Sequence, residues 1–418
     1  MAFTKPKGTR DILPPDSVAW SFVEQTARNV ANEYNAQFVK TPTFESTDLF
    51  ARSVGESSDI VNKEMYTFLD KSKRSMTLRP EMTAGVVRAC IEQGLFNGVL
   101  PVKLCYIGNM FRYENVQAGR YREFWQFGYE CFGAGGAIAD LESIKLAYEF
   151  LTRVGVTGDF VLVINTLGCP DCRKKYNEAL REFLTKNIDK MCADCKTRLA
   201  KNPLRALDCK DDNCQKIIKN APVIWNYLCE QDKADFSALQ KLLKQEGVKF
   251  KTDSKLVRGL DYYTQTVYEL VVDNYNGTGK ALTIAAGGRY DKLVEELGGK
   301  PTQAVGFGIG LDRVVSLIGE CESGLDVYVA NAGSVEVSQL LDIVKEVRGL
   351  GLSCEYNIAD KGIKQQFKLA DKANTGHMII VGDKELASSS VTLKNMKGGE
   401  EQLIKLTELT TFLTKKKQ

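Results

Sequence analysis

Residues 111–130 read FRYENVQAGRYREFWQFGYE. Two arms with aromatic residues and alternating side chains enclose a polar, charged centre that is interrupted by Gly119. This pattern predicts two antiparallel strands joined by a loop that is too long for a tight turn. Arg112, Arg120 and Arg122 lie in or beside the loop, with fewer carboxylates nearby to neutralise them. The segment therefore predicts an antiparallel sheet with positive charge concentrated at one hairpin.

The simplest interpretation of this hairpin is a solvated ribbon at the edge of a sheet. Two further arginines favour a binding role: Arg258 precedes a segment of alternating residues, and Arg313 follows the run GFGIG at 306–310. Guanidinium groups bind phosphate and carboxylate in a bidentate manner and keep their charge. Several of them on one sheet therefore predict a site for a polyphosphate, or for a phosphate together with a carboxylate. The GFGIG run is not a P-loop, because the GK[ST] ending is missing.

The overall composition excludes several classes of protein. The chain has 418 residues, of which 44% are hydrophobic and 26% are charged, and its net charge is +3. The single histidine, His377, excludes any mechanism or metal site that needs several imidazoles. The N-terminal sequence lacks the apolar core of a signal peptide, and no stretch approaches 18 consecutive apolar residues, so we expect no membrane association. Cysteines scattered singly along the chain indicate a reducing cytoplasm.

Periodicity divides the chain into three parts. Residues 1–324 mix amphipathic helices with strands that do not alternate regularly with them, which favours an antiparallel α+β sheet. Within this part, residues 169–250 have mainly helical spacing and contain 17 Lys and Arg against 12 Asp and Glu, so we expect a small basic helical insertion. Residues 325–418 alternate strands with helices, which predicts a compact α/β domain with a parallel or mixed sheet.

Part of the cysteine content suggests a metal site. Among the twelve cysteines, two CxxC pairs stand 19 residues apart and two more cysteines follow: Cys169 and Cys172, Cys192 and Cys195, then Cys209 and Cys214. Two CxxC pairs at this spacing are typical of a structural zinc site closed by four thiolates. Free thiols, or a disulfide or redox role, are the alternatives, because the intervening helices could hold the two pairs far apart.

Seven segments together resemble the histidyl-tRNA synthetase family, nearly from end to end. They are KGTRDILP at 7–14, TPTFE at 41–45, RPEMTAGVVRA at 79–89, FRYENVQAGRYREFWQFGYE at 111–130, RGLDYYTQTVYE at 258–269, GGRYDKL at 287–293 and AVGFGIGLDRV at 304–314. Several of these are general class II synthetase motifs, whereas RGLDYYTQTVYE is specific to the histidine enzyme and its close relatives. No catalytic position departs from the family pattern.

The resemblance implies both a fold and a reaction. The fold is a class II catalytic domain over residues 1–324, with an antiparallel sheet of six or seven strands and the helical insertion, followed by an anticodon-binding α/β domain at 325–418. The reaction joins histidine to ATP as histidyl-adenylate, releases pyrophosphate, and then transfers histidine to the 3′ end of tRNA(His). The resemblance also implies Mg²⁺ between the leaving phosphates, and a homodimer with TPTFE and its preceding helix at the interface.

Three arginines receive catalytic roles from the resemblance. Arg112 would hold the α-phosphate together with the histidine carboxylate, and Arg313 would bind the γ-phosphate of a bent ATP. Arg258 would contact the α-phosphate, where other class II enzymes rely on a metal. The other positions that would hold or stack on the adenosine part of ATP are Glu114, Arg120, Tyr121 and Phe124.

The resemblance also assigns the amino-acid and tRNA positions. Histidine would be bound by the shared residues Arg112 and Arg258, together with Glu81, Met82, Thr83, Gln126, Glu130, Tyr262 and Tyr263. A pocket that satisfies both ring nitrogens would reject isosteres that leave its polar groups unpaired. The acceptor end of the tRNA would meet Gln117 and Arg122.

Other interpretations remain open. Without the resemblance, Glu130 could be a structural carboxylate, and Tyr262 and Tyr263 could be ordinary sheet aromatics. A synthetase-like regulatory subunit of the first enzyme of histidine biosynthesis would lack the anticodon domain and part of the RGLDYY segment, and both are present here. A different class II synthetase is disfavoured by RGLDYYTQTVYE. Histidine-dependent exchange of pyrophosphate into ATP would separate these three hypotheses.

Overall fold

The computed structural model describes residues 3–55, 58–117, 119–156, 160–273, 281–321 and 323–415. The chain divides at residue 320 into two compact units, which we call the large unit and the small unit. Within the described ranges, none of the helices combines the length and the apolar character needed to cross a membrane.

The large unit contains eleven strands and ten α-helices among its described residues. In chain order they are α1 (Asp16–Glu33), β1 (Gln37–Phe38), β2 (Phe44–Ser46), α2 (Thr47–Val54), β3 (Tyr66–Leu69), β4 (Ser75–Leu78), α3 (Thr83–Glu92), β5 (Val102–Phe111), β6 (Glu123–Phe132), α4 (Gly136–Arg153), β7 (Phe160–Thr166), α5 (Pro170–Lys186), α6 (Ala193–Lys201), α7 (Asp212–Ile218), α8 (Glu230–Gln245), β8 (Phe250–Thr252), β9 (Thr266–Val272), β10 (Leu282–Arg289), α9 (Leu293–Glu296), β11 (Ala304–Gly310) and α10 (Leu311–Val315).

An eight-stranded sheet forms the centre of the large unit, in the order β1-β5-β6-β11-β10-β9-β7-β8. Its six middle strands are antiparallel to their neighbours, whereas the two outermost strands pair in parallel. The antiparallel α+β sheet that the sequence predicts is therefore confirmed. The antiparallel part has six strands, within the expected six or seven, and the short parallel edge strands β1 and β8, of two and three residues, extend the sheet to eight.

The hairpin predicted from residues 111–130 is formed by β5 and β6. The two strands pair antiparallel from Val102 opposite Phe132 to Phe111 opposite Glu123. Side chains alternate between the two faces of a strand, so Phe127 and Tyr129 enter the core while their even-numbered neighbours point to the other face. The loop between the strands is long, as predicted, and contains Arg112, Arg120 and Arg122.

The glycine-rich run 306–310 lies in β11, next to β6. Its two apolar residues, Phe307 and Ile309, are buried in the core. Its alternate glycines point to the opposite face, and a Cβ on Gly306 would lie 2.1 Å from the Glu130 carboxylate. The glycines therefore leave room for side chains of β6 rather than forming a phosphate loop.

Two long helices cover the core face of this sheet. Helix α1 buries Trp20, Val23 and Ala27 at helical spacing, and α4 buries Ile144 and Phe150 in the same cluster. Helical spacing of apolar residues predicts both helices. For α4 the helical pattern starts at Asp140, whereas the helix begins four residues earlier, at Gly136. A separate three-stranded sheet, in the order β2-β4-β3, lies elsewhere in the large unit.

The helical insertion has its own hydrophobic cluster. This cluster runs from Cys172 to Leu228 and includes the buried Tyr176, Leu180 and Ile218. Helix α8, the last helix of the insertion, instead contributes Phe236, Leu239 and Leu243 to the core that covers the central sheet. The insertion thus leaves the sheet after β7, and the chain returns to it through α8.

The small unit has a five-stranded sheet in the order β13-β12-β14-β15-β16. Strand β12 pairs in parallel with β13 and β14, whereas β15 is antiparallel to both of its neighbours, so the sheet is mixed, as predicted. Its elements are β12 (Val327–Asn331), α11 (Leu341–Gly349), β13 (Cys354–Tyr356), α12 (Ile363–Lys372), β14 (His377–Val381), α13 (Asp383–Ala387), β15 (Ser390–Asn395), β16 (Glu401–Lys405) and α14 (Leu406–Lys415).

Candidate active site

A cavity of about 570 Å³ opens on the sheet face that carries the glycines of β11. Strands β5, β6, β9, β10 and β11 contribute to its walls, together with the β5–β6 loop, the segment 253–263 and the insertion. Phe124 and Glu130 both line the cavity and stand six residues apart on β6, which spans roughly 20 Å. The cavity is therefore long enough for a ligand larger than a single amino acid.

At one end of the cavity, Glu130 is almost completely buried, with 1% of its surface exposed. Its carboxylate accepts hydrogen bonds from the hydroxyl groups of Thr83, at 2.7 Å, and Tyr106, at 3.3 Å, and from Tyr290 on its other oxygen. Burial raises the pKa of Glu130 to about 8, although the three hydroxyl donors partly oppose this effect. Glu130 can therefore hold or release a proton near neutral pH.

Three tyrosines surround this acid. The rings of Tyr262 and Tyr263 lie 4.8 Å apart, and the ring of Tyr290 packs edge-on against Tyr262 at 5.6 Å. Tyr262 and Tyr263 precede β9 and belong to no strand, so they are not ordinary sheet aromatics. Aromatic walls around a hydrogen-bonding acid suit a flat ring that carries polar nitrogens.

The start of α3 supplies a second buried carboxylate. Glu81 accepts hydrogen bonds from the backbone N–H groups of Thr83, at 2.7 Å, and Ala84, at 3.0 Å. It therefore caps the first turn of the helix and also faces the cavity. Burial raises the pKa of Glu81 above its usual value, while these two backbone donors lower it. Met82, which lies between Glu81 and Thr83 in the sequence, is buried in the core and does not line the cavity.

At the other end, Arg112, Arg120 and Arg313 face one another around Glu114. Glu114 lies 3.4 Å from the Nη1 atom of Arg120 and 4.0 Å from the Nη1 atom of Arg112. Arg112 is further held by a 2.8 Å hydrogen bond from its Nε atom to the carbonyl of Pro80. Burial and the two neighbouring arginines lower the pKa of Arg313. Three like charges around one carboxylate attract a further anion.

Arg258 lies between the two ends of the cavity. Its guanidinium forms an ion pair with Glu269 on β9, and the other oxygen of Glu269 accepts a 2.9 Å hydrogen bond from Thr283. The guanidinium also lies 5.8 Å from the centre of the Tyr263 ring. Its Nε atom is buried and has no hydrogen-bond partner within the ranges that the structure describes. Arg258 can therefore donate to a ligand without breaking its contact with Glu269.

Arg10, in the N-terminal segment KGTRDILP, contacts residues at the arginine end of the cavity. Arg10 forms a 2.7 Å ion pair with Asp312 and stacks on the ring of Tyr121 at 4.7 Å. The other oxygen of Asp312 accepts the backbone N–H of Trp125, at 2.7 Å. These contacts join the start of the chain to strand β6 and to helix α10. Helix α10 follows β11, the last described strand of this sheet along the chain.

The structure brings most of the predicted residues to this one cavity. Its walls include Glu81, Thr83, Arg112, Glu114, Arg120, Tyr121, Phe124, Gln126, Glu130, Arg258, Tyr262, Tyr263 and Arg313. Two other predicted residues lie in the β5–β6 loop outside these walls. Gln117 is exposed, and the guanidinium of Arg122 lies 3.7 Å from the centre of the Tyr113 ring.

Sequence reasoning missed several residues of the cavity. Tyr290 lies in the segment GGRYDKL at 287–293, so a tyrosine within a family motif was an available signal. Glu269 is the last residue of the segment RGLDYYTQTVYE, so its position in a family motif was also an available signal. Leu207, Asp208 and Lys210 come from the insertion, and nothing in their local sequence indicates that they reach the cavity.

The spacing left open whether Cys169 and Cys172 share one zinc site with Cys192 and Cys195, and the structure places the two pairs apart. The two CxxC pairs belong to different clusters, and each is completed by residues later in the chain. Helix α5 separates the pairs, because its 17 residues extend over roughly 25 Å. The second cluster includes Cys209 and Cys214, whose proximity the spacing did not reveal.

Comparisons with known proteins agree with this geometry. A family model described as histidyl-tRNA synthetase matches residues 8–314, and one described as anticodon binding domain matches residues 326–416. The histidine–tRNA ligases of Clostridium botulinum (strain Hall) and Acetivibrio thermocellus are 44% and 45% identical, with 99% and 98% of both chains covered. The crystal structure of apo S. aureus histidyl-tRNA synthetase matches with a TM-score of 0.81 at 36% identity, covering 99% of this chain and 100% of that one. The chain therefore belongs to the histidyl-tRNA synthetase family.

Proposed function

We propose that this chain is a histidine–tRNA ligase, which activates L-histidine with ATP and transfers it to the 3′ end of tRNA(His). The observation that carries this proposal is one cavity with arginines at one end and the buried Glu130 among tyrosines at the other. The arginines suit a polyphosphate, and the acid suits an imidazole ring. Family membership supports the same activity.

The histidine substrate would occupy the acidic end of the cavity. Glu130 and Tyr263 would hydrogen-bond the two ring nitrogens, with Tyr262 in the same pocket. Glu81 would bind the α-ammonium group, since it is a carboxylate that backbone donors hold in place. Thr83 and Gln126 would complete this part of the site, and the buried Met82 would support it through packing. An imidazole N–H donated to Glu130 would favour the ionised acid, whose pKa is otherwise raised by burial.

ATP would occupy the arginine end. Arg112 would hold the α-phosphate and the histidine carboxylate together, and Arg313 would bind the γ-phosphate. The Arg112 guanidinium lies 5.3 Å from the centre of the Phe124 ring, and this ring would stack on the adenine. Glu114, Arg120 and Tyr121 surround this position and would hold the rest of the adenosine and the phosphates.

The first step requires alignment and charge neutralisation rather than a covalent catalyst. One carboxylate oxygen of histidine attacks the α-phosphorus, and the bond to the bridging oxygen of pyrophosphate breaks. Arg258 would neutralise negative charge on the α-phosphate as the new bond forms. In the second step the ribose hydroxyl of tRNA attacks the histidine carbonyl and AMP leaves.

Mg²⁺ would accompany ATP, as is usual for enzymes that cleave it. Such an ion needs only one or two protein carboxylates, because phosphates and water supply its other ligands. Glu114 and Glu269 are the carboxylates beside the arginines, with side chains 20% and 17% exposed. Both fit this requirement, and the ion would supply further charge neutralisation on the leaving phosphates.

We assign tRNA binding to several parts of the chain. The domain boundaries we propose are 1–324 for the catalytic domain, with the insertion at 169–250, and 325–418 for the anticodon-binding domain. Gln117 and Arg122, on the β5–β6 loop, would meet the acceptor end. The basic surplus of the insertion suits the phosphate backbone.

We also propose that the chain acts as a cytoplasmic homodimer, with TPTFE at the interface. The three-stranded sheet supports this, since Phe44, in TPTFE, and Phe68 are 51% and 43% exposed and their rings lie 6.1 Å apart. Exposed aromatic pairs of this kind are common at protein interfaces. Sedimentation equilibrium of the full-length chain and of Phe44→Ser tests the proposal, and a monomeric parent chain would overturn it.

Histidine-dependent exchange of labelled pyrophosphate into ATP tests the activity, followed by charging of tRNA(His). We expect exchange with histidine and no exchange with other amino acids. Exchange that depends on a different amino acid would identify another class II synthetase. No exchange from a correctly folded chain would instead favour a regulatory, non-catalytic relative.

A further inference from the structure

Seven of the twelve cysteines lie between residues 169 and 229, and the fold gathers them into two groups. The inner group is Cys192, Cys195, Cys209 and Cys214, and the outer group is Cys169, Cys172, Cys229 and Asp232. In each group, the four sulfur or carboxylate oxygen atoms all lie within 4.8 Å of one another. The outer group encloses the inner one in the sequence.

The inner group has the dimensions of a tetrahedral metal site. With zinc–sulfur bonds of about 2.3 Å, tetrahedral geometry places sulfur atoms about 3.8 Å apart. The Sγ atoms of Cys192 and Cys209 are 3.7 Å apart. A disulfide bond requires about 2.05 Å, so these two sulfurs do not form one. The group is also too tight to enclose a cluster of several iron atoms.

Backbone donors point at the sulfur atoms of the inner group. The N–H of Cys192 donates to the Cys214 sulfur at 3.2 Å, and the N–H of Cys195 donates to the Cys192 sulfur at 3.5 Å. Such bonds stabilise thiolates and orient metal ligands. Cysteines that merely fill an apolar core need no amide directed at the sulfur.

The outer group repeats this arrangement with a carboxylate in one position. The N–H of Cys229 donates to the Cys172 sulfur at 3.0 Å. Asp232 is buried, accepts the N–H of Cys169 at 2.8 Å, and lies 3.4 Å from the Cys229 sulfur. Cys169 and Cys229 immediately precede α5 and α8, so this group joins the two ends of the insertion.

We propose that the insertion binds two Zn²⁺ ions, one held by the four cysteines of the inner group and one by the three cysteines and Asp232 of the outer group. Zinc prefers four such ligands in a closed tetrahedral site and confers stability on small folds. The insertion has a small hydrophobic cluster of its own, in which Cys172, Cys195, Cys209 and Cys214 are buried.

The inner ion also has a role at the active site. The 3₁₀ helix Pro203–Asp208 lies between the ligands Cys195 and Cys209, and Asp208, Lys210 and Gln215 line the cavity. The inner zinc therefore holds one wall of the cavity in place. The expected effect of the inner zinc on activity rests on the proposed function, whereas the binding of the two ions does not depend on that function.

The test is the metal content of the full-length chain, measured by mass spectrometry of the elements after exhaustive desalting. We expect two zinc ions per chain, one for each group. Cys195→Ser and Cys214→Ser should each leave one ion, and so should Cys172→Ser and Asp232→Ala. Cys354→Ser removes a buried cysteine of the small unit and should retain both ions.

Wild-type protein provides a second measurement that does not depend on the folding of a variant. Replacement of zinc by Co²⁺ should give the intense visible absorption of tetrahedral thiolate coordination. Alkylation of the native chain should modify up to seven additional thiols once the metal has been chelated.

Several results would overturn the proposal. A wild-type chain that contains no zinc and takes up neither Zn²⁺ nor Co²⁺ under reducing conditions excludes both sites. Iron in place of zinc would contradict the identity of the metal. If the wild-type chain contained a single ion, and Cys195→Ser lost that ion while Cys172→Ser kept it, the outer site would be excluded. Pyrophosphate exchange measured on the same samples distinguishes these outcomes from failure of the proposed activity.

Discussion

The Nη1 atom of Arg205, in the helical insertion, donates a 3.1 Å hydrogen bond to the backbone carbonyl of Arg258, in the wall of the cavity. A second contact lies close by, since Asn202 donates a 3.1 Å hydrogen bond to the side chain of Asp261. Arg205 also lies 3.6 Å from Asp59. The insertion thus supports the segment that carries Arg258, and we infer that Arg205 positions Arg258 for catalysis.

Arg205→Ala should slow the activation of histidine. Loss of one positioning contact displaces Arg258 slightly, and we expect a rate about tenfold lower with little change in histidine affinity. Single-turnover formation of histidyl-adenylate measures the rate, and equilibrium binding measures the affinity. Lys201→Ala, which removes an exposed cation from the same insertion, is the matched control. An equal loss in both variants would mean that general charge, not positioning, is responsible.

Arg258→Ala should reduce the activation rate far more than it weakens histidine binding. Loss of one transition-state contact of this kind is worth roughly 3 kcal/mol, on the order of a hundredfold in rate. The substitution also leaves the Glu269 carboxylate without its ion-pair partner. The double variant with Glu269→Gln removes the unpaired charge and should remain slow. Glu269→Gln alone, measured beside it, gives the effect of losing this candidate Mg²⁺ ligand. Additional Mg²⁺ should restore little activity, and an unchanged single-turnover rate in Arg258→Ala would contradict the role.

Glu130 should make the stability of the ligand-free chain depend on pH. Its pKa is raised from 4.5 to about 8 in the folded chain, so between these values unfolding releases a proton. Stability from this group is therefore fully present below about pH 4.5 and is lost as the pH rises towards 8, at a slope of up to roughly 1.4 kcal/mol per pH unit.

Glu130→Gln should remove this component, because the amide is neutral at every pH. Thermal unfolding followed by tryptophan fluorescence is a suitable measurement, since Trp20, Trp125 and Trp225 all lie in the large unit. We expect the wild-type midpoint to fall relative to that of the variant between pH 5.5 and pH 8. A constant difference across this range would show that Glu130 is ionised throughout.

The sequence predicted the features that rest on local pattern or on a family motif. Alternation in 111–130 predicted the β5–β6 hairpin, and helical spacing predicted α1 and α4. Most residues that the motifs assigned lie around one cavity, because strands β6 and β11, the start of α3 and the segment before β9 all contribute to its walls.

Long-range contacts were beyond local reasoning. Spacing alone favoured pairing Cys172 with Cys192, whereas Cys172 groups with Cys229, 57 residues away. The contact between Arg205 and Arg258 joins residues 53 positions apart, and neither lies in a pattern that names the other. Such pairings depend on how helices of the insertion pack, which is determined by the tertiary structure rather than by periodicity.

A chain that ends at Gly324 should retain histidine-dependent pyrophosphate exchange and charge tRNA poorly. The large unit contains every residue of the cavity, whereas the small unit matches an anticodon binding domain. Reading of unpaired bases belongs to such a domain and is not needed for adenylate formation. Tryptophan fluorescence must first establish that the shortened chain is folded. Full charging of tRNA by this chain would contradict the assignment of the small unit.

We expect different residues of the β5–β6 loop to bind ATP and tRNA. Arg112 is fixed by the carbonyl of Pro80 and lines the cavity, whereas Gln117 is exposed at the tip of the loop. Gln117 and Arg120 exchange backbone hydrogen bonds of 3.3 and 2.9 Å, with Gly119 at a φ of +70° between them. The Gln117 side chain is exposed there, where an RNA end can reach it.

Arg112→Ala should therefore abolish adenylate formation, whereas Gln117→Ala should spare it and slow transfer of histidine to tRNA. Gln117→Ala should also discriminate less between histidine tRNAs with and without their additional 5′ guanosine, because the loop would meet that end of the molecule. Pyrophosphate exchange measures the first step, and single-turnover transfer from preformed adenylate measures the second. Val116→Ala alters an exposed neighbour in the same loop and should leave both steps unchanged. If Gln117→Ala impaired exchange as severely as Arg112→Ala, the loop would act on ATP as a whole, and the proposed division between its rigid base and its exposed tip would be wrong.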